Sequence, residues 1–350
     1  MPPIRARGRD PLASAQKLLV GAPEDRLVPI RRGRHPGVDT IGAMSLNADF
    51  CPSLAALGEH AGRRIGRHLL AAMRSMLAGP GVRHGRGFAA LVTGAPHPFG
   101  NFAVLSDGDD SEAVTAATDL LLACSAPTAL IFAAAPAGPH VDERLGRLGF
   151  HSTMAMPAMA IEIDSLAATH LPRGCAFERI DDRDEASWAT AFVDGYGLPQ
   201  SLRRSFGGDG RSPEGTLEAG VDAGMRAGSA DAASTTRRWV ERYGITMRGR
   251  VVCTSLICVD DGLAGVYCVA TLPEARRCGL GGHATAEALR CARALGCRVG
   301  VLQSSLEGRS LYARLGFVEL GALPVYLRMP ADAPTLAAAG GALPDAAPAD

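Results

Sequence analysis

From residue 54 to 77 the apolar positions recur at helical spacing, with Leu57, Ala61, Ile65, Leu69, Ala72 and Met76 on one stripe. Gly79-Pro80-Gly81 ends that predicted helix. Short apolar runs at 88–92 and 102–105 predict strands, separated by the loop Gly94-Ala95-Pro96-His97-Pro98-Phe99-Gly100-Asn101. Next come a helix over 111–124, a strand over 130–133, a helix over 141–148 and a strand or hairpin arm over 154–163. Beyond a short linker, Pro172-Arg173-Gly174, the pattern predicts a strand over 177–180 and a helix over 185–196, capped by Asp184 or the Asp residues before it. Three strands follow in a row, 239–247, 251–259 and 263–272, with the hairpin signal Asp260-Asp261-Gly262 between the last two. A helix over 285–295, a strand over 298–303, a helix over 308–315 and a strand over 324–328 complete the series.

Three stretches lack periodicity. Residues 1–45 are rich in Arg, Gly and Pro and read as a disordered extension; the basic segment Arg31-Arg32-Gly33-Arg34-His35-Pro36 within it is read as solvated rather than as a nucleic-acid arm. Residues 205–235 are Gly-, Ser- and Asp-rich, with an insertion-like loop read around Phe206 to Gly215. The Ala/Pro tail 331–350 reads as disordered.

Bulk properties narrow the classes. A chain of 350 residues suggests two domains. The formal net charge of zero gives no general attraction to nucleic acid or to an anionic membrane. Nine cysteines form no C-x-x-C pair, so neither a disulfide framework nor a thiolate metal site is expected; Cys253, Cys258 and Cys268 read as small core residues. Nine histidines show no ligand spacing, so no metal is expected. There is no apolar stretch of membrane-spanning length and no secretory signal, and the default expectation is a cytoplasmic protein.

The sharpest chemistry lies between the strand at 263–272 and the helix at 285–295. There the chain reads Arg276-Arg277-Cys278-Gly279-Leu280-Gly281-Gly282. Glycine lets the backbone approach an anion closely. A helix start offers unpaired N–H groups and a partial positive charge. Together with the arginines they predict a polyphosphate cradle. Cys278 sits beside both arginines, a setting that can lower a thiol pKa.

This turn resembles the acyl-CoA pyrophosphate loop of the GNAT superfamily of N-acetyltransferases. A later segment, Gln303-Ser304-Ser305-Leu306-Glu307-Gly308-Arg309-Ser310-Leu311-Tyr312-Ala313-Arg314-Leu315-Gly316-Phe317, is similar to that family's second motif, where a Tyr precedes Leu-Gly-Phe. The resemblance covers about residues 175–327 and implies an α/β (α+β) fold with a mixed, mostly antiparallel sheet flanked by helices. Arg147-Leu148-Gly149-Phe150 repeats Arg314-Leu315-Gly316-Phe317, with the same element order around both. That predicts two GNAT-like lobes in tandem: a degenerate one over 46–170 and an acetyltransferase domain over 171–330.

The first lobe carries Leu145 where the second has Tyr312. Its strand-to-helix turn reads Ser106-Asp107-Gly108-Asp109-Asp110-Ser111-Glu112, with four carboxylates. These satisfy helix amides themselves and repel a pyrophosphate, by about 4 kcal/mol for one pair at 4 Å in an effective dielectric near 20. The first lobe is therefore expected not to bind CoA, and to be structural or to shape the acceptor site.

For the second lobe the resemblance implies a ternary complex in which an amine attacks acetyl-CoA directly. Arg276, Arg277, Cys278, Gly279, Leu280, Gly281 and Gly282 would hold the pyrophosphate. The pantetheine arm would lie along Val269, Ala270 and Thr271 as an added strand, with an amide near Val269 or Ala270 polarising the thioester carbonyl. Ser305 and Gly308 lie where the family's helix meets the CoA arm, though Ser305 reads equally as an N-cap. Tyr312 is the expected partner of the departing thiolate. No general base stands out: Glu274 and His283 read as surface or capping groups, and Asp194, Tyr196 and Glu241 lie in segments that could face the acceptor. The competing reading is a non-enzymatic acyl-CoA-binding or sensing module acting through a protein partner. The acceptor class spans small-molecule and peptide amines, with no metal, nucleic acid or membrane, and a homodimer is compatible with the reading.

Overall fold

A computed structural model describes residues 51–134, 139–207 and 239–330. The expectations for 1–45, for most of the 205–235 loop and for 331–350 fall outside those residues. Among the described residues no helix is long and apolar enough to cross a membrane.

The strands are β1 (Val82–Gly85), β2 (Phe88–Val92), β3 (Asn101–Leu105), β4 (Thr128–Phe132), β5 (His151–Glu162), β6 (Cys175–Arg179), β7 (Trp239–Met247), β8 (Arg250–Asp260), β9 (Leu263–Thr271), β10 (Val299–Gln303) and β11 (Val318–Arg328). The helices are α1 (Ala61–Met76), α2 (Ser111–Leu122), α3 (Pro139–Arg147), α4 (Glu185–Tyr196), α5 (Leu280–Ala294) and α6 (Arg309–Leu315), with a single turn at Arg203–Phe206. Local signals explain several boundaries. Asp261 and Gly262 both take positive φ, 49° and 69°, as a two-residue β8–β9 hairpin turn requires. Gly197 ends α4 in the left-handed region. Asp184 precedes α4 as expected, but its side chain makes no capping bond. The first predicted helix begins late: Gly58, at φ 60° and ψ −156°, breaks a 3-10 segment before α1. β1 escaped the sequence pattern because its four residues bury no side chain fully.

The sheets expected of the two lobes are one. All eleven strands join in the order β1-β2-β3-β4-β11-β5-β10-β9-β8-β7-β6. Each half lends its last strand to the other. β11 pairs antiparallel with β4, Val325 facing Ile131, and β5 pairs antiparallel with β10, Glu162 facing Val299. β5 and β11 themselves pair antiparallel in the middle. The repeated Leu-Gly-Phe marks the point where each chain half turns into its exchanged strand, and both Phe150 and Phe317 are buried there.

Alternate strand residues feed the two faces of the sheet. On one face α1 and α4 share a single core that runs through both halves, with Ile65, Leu69, Trp188, Phe192, Leu256 and Tyr267 in it. Fully burying a side chain such as Ile65 contributes about 2 kcal/mol. On the other face α2 and α3 cover the first half and α5 and α6 the second. Gly66 lets α1 come close to β4: a Cβ there would lie 1.6 Å from the Ala133 carbonyl oxygen. From α1, His68 reaches across to bond the Tyr267 hydroxyl at 2.8 Å, tying the first half to β9.

Candidate active site

β9 and β10 pair in parallel only from Leu263 to Gly265, against Val299 to Val301, and then diverge. On its other edge β9 slips register against β8: Thr254 faces Ala270, Leu256 faces Tyr267, and Ser255 alone is opposite Cys268 and Val269. This is a β-bulge, which re-aims backbone groups out of the ladder. Cys268 takes φ 51°, rare for a residue with a Cβ, and the Thr254 hydroxyl donates to its carbonyl at 2.7 Å. No glycine or asparagine stands at that position to signal it. In the first half the equivalent strands stay together. β3 and β4 pair from Phe102–Ala129 to Leu105–Phe132, and the Ala133 N–H extends the pairing to the Leu105 carbonyl. Only the second half opens a slot between its parallel strands.

At the mouth of the slot stands the start of α5. The helix begins at Leu280, not at 285 as the pattern suggested, so Gly281 and Gly282 supply first-turn amides rather than loop. Gly279 precedes it at φ 77°, and no side chain caps it. In the first half, by contrast, the Asp110 carboxylate accepts the Ala113 N–H at 3.0 Å and closes the start of α2, as the acidic turn implied. A Cβ placed on Gly281 would lie 3.6 Å from Leu311 and 3.7 Å from both Thr271 Oγ1 and Val269 Cγ1. The start of α5, the end of β9 and α6 therefore converge on that one glycine.

The arginines divide their work. Arg276 donates from Nε to the Thr271 carbonyl at 3.2 Å and from Nη2 to the Gly195 carbonyl at 2.7 Å. It staples the C-terminal turn of α4 to the end of β9. Arg277, at φ 61°, is exposed, and no acceptor among the described residues holds its guanidinium. Cys278 is exposed at the rim, its thiol 3.5 Å from the Arg276 carbonyl. The Ser305 hydroxyl accepts the Gly308 N–H at 3.1 Å and closes the turn before α6, while the helix start itself has no side-chain cap. Gly308 leaves room for the Tyr312 ring, since a Cβ there would lie 3.1 Å from Tyr312 Cε2.

Tyr312 projects from α6, half-buried, with its ring edge-on to Phe317 at 5.8 Å. Its hydroxyl bonds no described residue. Burial first, then the nearby Tyr196 hydroxyl and Cys253 thiol, hold its pKa well above the usual phenol range. Tyr196, the last residue of α4, is 45% exposed, yet dense protein around its hydroxyl, and then the Cys268 thiol, push that phenol up to about 12. Burial likewise raises the Cys253 thiol to about 11 and the Cys268 thiol to about 12, so neither is a thiolate near neutrality. The two phenols and two thiols thus meet beside the slot as neutral groups.

The base candidates are held elsewhere. Asp194 accepts from Gln200 at 2.6 Å and pairs with Arg203. Glu241 accepts the Tyr243 hydroxyl at 2.6 Å and pairs with Arg179. Glu274 pairs with Arg250. His283 is buried rather than at the surface, with Nδ1 2.9 Å from the Thr169 hydroxyl. Behind Cys268, Arg242 and Glu185 form a buried ion pair at 3.0 Å, with the guanidinium 5.4 Å from the Trp188 ring centre. Replacing Glu185 with Gln leaves the buried cation without its counter-charge. We expect a loss of about 2 kcal/mol in urea unfolding, against little change for Glu274→Gln at the exposed pair.

Sequence reasoning missed Phe99, which lies far from α4 along the chain. It sits on the 3-10 turn Pro98–Gly100 and packs 5.7 Å from Tyr196 and 6.2 Å from Phe192. His97 Nδ1 accepts the Phe99 N–H at 3.0 Å, so the ring must be neutral there. Burial lowers the His97 pKa. The unfolded chain then takes up this proton first, so the stability His97 contributes is present above about pH 6.5 and lost as pH falls below it. The melting temperature should fall between pH 7 and 5.5, and His97→Asn, whose amide oxygen can still accept, should flatten that fall.

Solved structures of similar fold include a GCN5-related N-acetyltransferase from Kribbella flavida, 20% identical, covering 76% of this chain and 95% of that one at a TM-score of 0.48. A GCN5-related N-acetyltransferase from Sphaerobacter thermophilus is 14% identical, covering 81% and 94% at 0.46. A tandem GNAT protein from the clavulanic acid biosynthesis pathway is 15% identical, covering 86% and 97% at 0.43. No curated protein matches the chain. Residues 226–317, which include β7 to α6, match the acetyltransferase (GNAT) family.

Proposed function

We propose that the second half of the chain transfers an acetyl group from acetyl-CoA to an amine by direct attack in a ternary complex. The observation that supports this most is the slot: parallel strands that part after Gly265 and Val301, beside an uncapped helix start. Its parts fit an acyl-CoA in shape and charge. The free amides of Leu280, Gly281 and Gly282, with the unengaged Arg277, suit a pyrophosphate. The open edge of β9 at Val269, Ala270 and Thr271 suits the amides of a pantetheine arm. An amide turned out by the bulge suits the thioester oxygen. Arg276, bonded to Thr271 and Gly195, keeps this edge in place rather than leading at the phosphates.

In this reading the neutral amine nitrogen attacks the thioester carbon and the C–S bond breaks. The amine proton leaves to solvent, since Asp194, Glu241, Glu274 and His283 are engaged in other contacts. Tyr312, kept protonated, gives its proton to the departing sulfur and regains one from water. The test is calorimetric titration with acetyl-CoA, followed by thiol release over a panel of amines. Binding with turnover supports the reading. Binding with no turnover favours an acyl-CoA sensor, and no binding removes both.

A further inference from the structure

Beside the slot, on the side away from α5, stands a wall that neither half makes alone. Tyr196 offers the exposed part of its ring there, and Phe99 from the first half backs it. The loop that carries Phe99 is rigidly held. Asn101, fully buried, donates to the Ala95 carbonyl at 2.7 Å and to the Pro127 carbonyl at 3.1 Å, and accepts the Gly94 N–H at 2.8 Å. Phe192 and Phe206 pack behind, 4.9 Å apart. Tyr196, 45% exposed, is thus a large side chain that this face leaves open.

The charges nearby are already paired. Asp194 is matched with Arg203, and Glu185 with Arg242. After burial, the Cys268 thiol acts on the Tyr196 phenol, and the Tyr196 hydroxyl and Cys253 thiol act on Tyr312. Among the described residues the side chains packed around Tyr196 on this wall are aromatic, so a flat apolar body would find a braced aromatic face, whereas a polycation would meet carboxylates already matched with arginine.

Resting on the acyl-transfer reading, we infer that the acceptor is an amine carried on an aromatic body, which stacks on Tyr196 backed by Phe99, so that the first half builds the acceptor site.

The test uses the full chain with saturating acetyl-CoA and compares phenethylamine and tyramine with spermidine and kanamycin. The arylalkylamines should exceed the others at least tenfold in kcat/KM. An aromatic contact plus its burial corresponds to about tenfold in affinity. Phe99→Ala should therefore raise the phenethylamine KM about tenfold, with kcat and acetyl-CoA affinity by calorimetry little changed. If Phe99→Ala fails to fold by circular dichroism, Tyr196→Ala at the open face must show the same KM effect, and Tyr196→Phe must restore it. Preference for spermidine or kanamycin, or acetyl-CoA binding with no acetylation of any arylalkylamine, overturns the inference. So does a phenethylamine KM that these variants leave unmoved. Absence of acetyl-CoA binding would instead remove the acyl-transfer reading beneath it.

Discussion

Replacing Gly281 with valine will abolish acetyl-CoA binding while the protein stays folded. The position is normal helix, so a side chain there meets no backbone strain; positive φ belongs to Gly279 instead. The added Cβ would touch Leu311, Thr271 and Val269 at 3.6–3.7 Å, ordinary van der Waals contact for the protein. The two methyls beyond it must then occupy the mouth of the slot. A ligand seated on the first-turn amides would lose that seat and meet the methyls as well. Overpacking of one or two methyl groups costs about 1–3 kcal/mol, and a charged hydrogen bond to a helix amide is worth about 1.5–3 kcal/mol. Together they correspond to about a thousandfold in Kd. Gly281→Ala, which adds only the tolerated Cβ, should sit between. Calorimetry against acetyl-CoA, with melting temperature as control, checks the series. A Gly281→Val protein that binds as tightly as wild type would place the cofactor elsewhere.

Much of the fold around the candidate site could be read from residue order, because its parts are local. The hairpin at Asp261-Gly262, the helix 185–196 and the Asp110 cap each follow from neighbours in the chain. Other features depend on partners far away. β5 and β11 both follow Leu-Gly-Phe, so the local order specifies a strand but not which half it completes. The exchange was therefore hidden, as was the contact of Phe99 with Tyr196. Glycine abundance made Gly281 and Gly282 look like loop, although the uncapped helix already includes them. The bulge at Cys268 hid for the opposite reason: a residue with a Cβ was placed where glycine would have signalled it. Arg276 shows what charge alone does not reveal. Its spacing suggested a phosphate contact, yet its guanidinium bonds the carbonyls of Thr271 and Gly195, and the freer charge is on Arg277.

Tyr312→Phe tests the chemistry itself, and it should lower kcat about a hundredfold with acetyl-CoA affinity unchanged. The substitution is mild for the fold. The Tyr312 ring packs with Phe317 and the core under α5 and α6, and the lost hydroxyl leaves no described group without its partner. The protonation state gives the argument its direction. A phenol whose pKa lies above the usual value stays protonated throughout the range where the protein is stable, so it can give a proton and cannot take one. The wild-type rate should accordingly show no alkaline decline from this group below about pH 10. Loss of a proton donor hurts most when the leaving group is basic. Acetyl donors with a more acidic thiol should therefore narrow the gap between wild type and Tyr312→Phe. A gap that is the same for every donor would make Tyr312 a packing residue, and the proton would have to reach the sulfur from water.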